Sequence, residues 1–130
     1  MAEYISFQPS DFFSSVLYTG NGTAIGSGGH TITGVGFEPD FTWIKRRDNT
    51  DAHVLYDQAR GANKRVYTNS NAAETTDAEG LNSWNSDGFV LGSTGNVNGP
   101  PQEMICYNWK SGTTTGIDTT GSTITPTAYS

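Results

Sequence analysis

Glycine clusters and prolines cut this chain into segments too short to build long helices. Gly20-Asn-Gly22, Gly26 to Gly29 and Gly34-Val-Gly36 punctuate the first third, and Pro9, Pro39, Pro100, Pro101 and Pro126 mark further breaks. Glycine reaches the backbone conformations that turns need, and proline cannot donate to a strand ladder. Between the breaks, aromatic and β-branched residues set among small polar ones read as short strands. The expected strands cover 15–19, 31–35, 41–46, 53–56, 65–68, 81–84, 89–91 and 104–109, with further ones at 116–118 and 122–125. Residues 69–80 are the one stretch with helix-forming composition, but the Thr75-Thr-Asp77 centre favours a surface loop. The pattern predicts a single all-β domain, an antiparallel β-sandwich or jelly roll.

Two strands carry orientation information. In Phe41-Thr-Trp-Ile-Lys-Arg46 the alternation puts Phe41 and Trp43 on one face and Thr42, Ile44 and Arg46 on the other. Met104-Ile-Cys-Tyr-Asn-Trp109 has apolar or aromatic groups on both faces, which predicts a central strand covered on both sides. Trp43 and Trp109, inside apolar strands, are expected in the core. Asp87-Gly88 before Phe89-Val-Leu91 is a tight-turn signal.

At 130 residues the chain is long enough for one domain. Its net charge of −6 argues against nucleic acid as a partner. The charge is unevenly placed. Lys45, Arg46, Arg47, Arg60, Lys64 and Arg65 stand against Asp48, Asp51 and Asp57 in the window 45–65, which is +3, while the remainder holds one base and ten acids, which is −9. Such a basic patch suits contact with the acidic surface of a neighbouring subunit, although a solvated face accounts for it as well. Cys106 has no partner in the chain and reads as a small buried hydrophobe. The start, MAEYISFQPSDFF, has neither the basic onset nor the apolar centre of a signal peptide, and no apolar run reaches membrane-spanning length. Synthesis in a cytoplasm is expected.

Catalytic signatures are missing from the sequence: it has no nucleophile elbow, phosphate loop, dinucleotide fingerprint or Cys-x-x-Cys. His30 and His53 read as structural or surface residues, and nothing pairs Glu38, Asp40, Asp57 and Glu103 as a glycosidase would need. The reading is therefore a non-enzyme with no cofactor and no metal, Asp48-Asn-Thr-Asp51 being an ordinary loop rather than a calcium site. Asp57 and Arg60 are expected to brace a turn. Trp84, in the polar setting Asn82-Ser-Trp-Asn-Ser-Asp87, is the candidate for ligand or interface contact, with Asn82 and Asp87 beside it.

The two ends differ from the middle. Residues 1–13 carry Tyr4, Phe7, Phe12 and Phe13 and read either as an arm for docking onto a larger assembly or as a strand closing a sheet edge. Residues 14–110 form the domain, and 111–130, rich in Thr, Gly and Ser, a tail or linker to a further module.

Several runs, taken in order, resemble a module of structural proteins in tailed bacteriophages, marine ones especially. They are Val16-Leu-Tyr-Thr-Gly-Asn-Gly22, Ile32-Thr-Gly-Val-Gly-Phe-Glu-Pro-Asp-Phe-Thr-Trp-Ile-Lys45, Leu55-Tyr-Asp57, Arg60-Gly61, Thr68-Asn69, Ser86-Asp-Gly-Phe-Val-Leu-Gly92 and Tyr107-Asn-Trp-Lys110. The resemblance implies a lectin-like (concanavalin-like) β-sandwich serving as a virion tail-fibre or appendage protein. A capsid decoration protein and a module binding host surface glycans are the alternatives. It also implies other virion proteins as partners and a homo-oligomer, with a trimer expected.

Overall fold

The computed structural model describes residues 8–111. Nine strands follow in order: β1 (Phe13–Thr19), β2 (His30–Ile32), β3 (Phe41–Arg46), β4 (Val54–Asp57), β5 (Lys64–Tyr67), β6 (Thr75–Thr76), β7 (Leu81–Asn85), β8 (Gly88–Leu91) and β9 (Glu103–Trp109). One short helix, α1 (Gly95–Asn98), precedes β9. The strands form a six-stranded antiparallel sheet, β1-β9-β3-β4-β5-β6, and a three-stranded one, β2-β8-β7. Together they make a sandwich-like domain, as the turn spacing predicts. The expected strands at 116–118 and 122–125 lie outside the described residues, as do Pro126, Tyr4 and Phe7.

The core lies between the sheets. Ile44 of β3, Val54 and Tyr56 of β4, and Met104 and Cys106 of β9 meet Ile32, Leu81, Phe89 and Leu91 of the small sheet, with Val97 of α1. Polar groups share this interior. The Thr42 hydroxyl donates to Asn108 Oδ1 across the β3–β9 ladder at 2.8 Å, and the Asn108 amide donates to the Ser14 carbonyl at 3.3 Å. Asn98 is a second buried hub. Its Oδ1 accepts from the Asn21 backbone N–H at 2.9 Å and lies 2.7 Å from His30 Nδ1, and its amide donates to the Gly92 carbonyl at 2.7 Å. That one side chain ties the 20–29 loop, β2 and the end of β8 to α1.

The strand expected over 31–35 stops at Ile32, because Gly34 and Gly36 take positive φ. Their N–H groups donate instead to the Asp87 carboxylate, at 2.9 and 2.7 Å. Asp87 sits in the two-residue turn between β7 and β8, where the Asp-Gly pair predicts one. Gly88 follows at φ 152°, and a Cβ there would collide with the Ile32 carbonyl of β2. Residues 69–80 are mainly loop, but they hold β6, a two-residue strand that composition does not reveal.

Candidate functional site: the outer face of the large sheet

Alternation gives the six-stranded sheet a second face turned away from the core. Phe41, Trp43 and Lys45 of β3 lie on it, opposite buried Thr42 and Ile44. So do Ile105, Tyr107 and Trp109 of β9, and Phe13 and Leu17 of β1. Their rings form a continuous run. Trp109 meets Phe13 at 5.1 Å between centroids and Phe41 at 4.9 Å, while Trp43 meets Tyr107 at 5.7 Å and His53 at 5.6 Å. Phe13 and Tyr107 lie nearly parallel, 14° apart. Trp109 and Trp43 are thus not core residues: Trp109 is 37% exposed and Trp43 half-buried. Strand β9 is central in its sheet, but the small sheet covers only the face bearing Met104, Cys106 and Asn108. Phe13, Leu17 and Trp109, three of the four large hydrophobics exposed among the described residues, lie on this face. Phe13, placed in the arm by the sequence, opens β1 in register with Trp109.

One end of this face is polar. A shallow groove of about 720 Å³ runs between β9 and the loop joining β3 to β4. Tyr107 and Ile105 line one side, and Lys45, Arg46 and Arg47 bring three cations, with no carboxylate among the lining residues. Asn49, Thr50 and His53 complete it.

Ion pairs decide which of the six basic residues still carries an unbalanced charge. Arg46 holds Asp48 at 2.6 Å and Asp51 at 3.0 Å, which braces the loop over 48–51. Arg47 meets Glu103 at 3.2 Å, Lys64 meets Glu74 at 3.6 Å and Arg65 meets Asp77 at 2.5 Å. Arg60 meets Asp57 at 2.7 Å and so braces its turn as expected. The basic patch is therefore largely neutralised within the chain, which weakens the case for charge-driven docking. Lys45 differs: its ammonium donates to the carbonyls of Arg46 at 2.6 Å and Asn49 at 2.9 Å, and meets no carboxylate among the described residues.

The trio singled out around Trp84 does not form an open platform. Trp84 packs edge-on against Phe89 beside the core, with its indole N–H buried. Asp87 is committed to Gly34 and Gly36, and these donors hold its carboxyl below the usual carboxylate range. Asn82 sits at the irregularity between Leu81 and Ser83 in β7. The other histidine, His30, is structural, bonded to Asn98. Sequence reasoning missed the groove because its residues come from two stretches far apart in the chain, 45–53 and 105–107. The one signal for it was the shared alternation of Phe41, Trp43 and Lys45.

A small β-sandwich with an aromatic outer face is the class that fold and site define. The chain belongs to the family described as Domain of unknown function (DUF7483), whose model matches residues 8–129. No curated protein and no solved structure matches it.

Proposed function

We propose that the protein is a non-catalytic structural module of a bacteriophage virion, made in the host cytoplasm and built into a tail fibre or appendage. Its outer sheet face would be the assembly surface. The observation that carries this reading is the continuous aromatic run from Phe13 through Trp109 to Phe41, with Leu17 61% exposed beside it. A soluble domain rarely leaves a contiguous patch of this kind to water without a partner for it. The resemblance to phage appendage modules supports the same role, and favours further copies of this chain, in a trimer, as the first partner.

Sedimentation of the full chain tests the assembly surface. The wild type is expected to associate, and Leu17→Ser with Trp109→Ser to run as a monomer with unchanged circular dichroism. A monomeric wild type at high concentration would overturn self-assembly. Electron microscopy of labelled particles separates fibre from capsid decoration, and label found solely in free cytosolic protein would overturn both.

A further inference from the structure

We propose that the groove beside Lys45 binds a carboxylated saccharide, a uronic or sialic acid unit of a surface glycan. This goes beyond the assembly reading and does not depend on it. Three features meet there. The Tyr107 and His53 rings border the groove, and Trp43, in contact with both, continues the aromatic surface beyond it. Aromatic rings of this kind receive the apolar face of a sugar ring. Asn49 and Thr50 bring amide and hydroxyl groups within the same groove, suited to sugar hydroxyls.

Lys45 then decides the charge of the ligand. An ammonium has three donors, and two of those on Lys45 are held by the carbonyls of Arg46 and Asn49. The third is left for an acceptor, and no carboxylate of the described chain supplies it. The neighbouring Arg46 and Arg47 are balanced by Asp48, Asp51 and Glu103, so they add little net attraction. The complement is thus one anionic group beside a ring with an apolar face. An acidic peptide would satisfy Lys45 equally but would leave the aromatic side without a matching surface.

Isothermal titration of the full chain tests this with trigalacturonic acid, a sialylated trisaccharide, the methyl ester of the first, and an oligo-aspartate. At least one of the two acids is expected to bind with a Kd of about 1 mM or tighter. The ester should bind at least about tenfold more weakly than its acid if that acid binds. Lys45→Met should weaken binding about tenfold and Lys45→Arg restore most of it, with melting temperature as the check on folding. Tyr107→Ser should also weaken binding. No binding of either acid at several-fold above that concentration would overturn the proposal. So would acid binding that survives Lys45→Met, or oligo-aspartate binding as tightly as the saccharides.

Discussion

The hydroxyl of Thr42 and the side-chain oxygen of Asn108 face each other 2.8 Å apart on adjacent strands, both fully buried. A buried hydrogen bond adds little when complete, but an orphaned partner loses its solvation. Thr42→Val should therefore destabilise the fold by about 1–3 kcal/mol. Asn108→Leu should destabilise it further, because the Ser14 carbonyl loses a donor as well. The double variant should cost less than the two singles added together. Urea unfolding of the four proteins measures the coupling, and strict additivity would contradict it.

Asn98 carries more partners than any other buried side chain described above. Asn98→Ala strips the Asn21 N–H and the Gly92 carbonyl of their partners together. A loss of about 2–4 kcal/mol follows from two buried groups left unpaired. Calorimetry should show the melting temperature lower by roughly ten degrees or more.

Acid should loosen the loops before the sheets. Asp87 is held below the usual carboxylate range by the N–H groups of Gly34 and Gly36, and Glu79 by those of Ser93 and Ile25. In the unfolded chain both return to ordinary values near about 4, so the unfolded state binds more protons. Their contribution is complete above that pH and is lost as pH falls through the lower folded values. Scans of melting temperature should show a decline beginning near about pH 4. Asp87→Asn combined with Glu79→Gln should melt lower at neutral pH and with a flatter profile below it.

The hairpin between β7 and β8 admits no side chain at its exit. Gly88→Ala forces a methyl onto the Ile32 carbonyl at a φ that other residues avoid. A loss of about 1–3 kcal/mol is expected by urea titration.

Cys106 is buried, and burial pushes its thiol up from the ordinary range. Reaction with a thiol reagent in native buffer should be far slower than in denaturant. Fast native labelling would mean that β9 opens readily.

All eight strands expected in residues 15–109 are present, because turns and alternation are local signals. What the sequence left open was which side of a strand faces in. Strand β3 shows Phe41 and Trp43 on one side and Thr42 and Ile44 on the other, and β9 shows Tyr107 and Trp109 against Cys106 and Asn108. Hydrophobicity alone points the aromatic side inward. The chain does the reverse, because Thr42 and Asn108 satisfy each other only once paired in register. Neither strand carries that fact alone. The Asn98 hub was hidden for the same reason, since its partners come from Asn21, His30 and Gly92. Trp84 misled in the opposite way: its polar neighbours in sequence lie along β7, while its ring packs on Phe89 of the next strand.

Strand β9 is made after every other described strand, yet it lies between β1 and β3. Val16 and Cys106, neighbours across that ladder, are 90 positions apart in the chain. A ribosome has therefore released the other eight strands while the large sheet is still split in two. Joining such distant segments is slow, because the intervening chain must first be ordered. For that interval β1 has no ladder partner, and the aromatic side chains of β3 lack those of β9. The newborn molecule thus passes through a stage stickier than its finished form, with core and aromatic faces both uncovered, and its yield in a cell should depend on how quickly the ninth strand arrives.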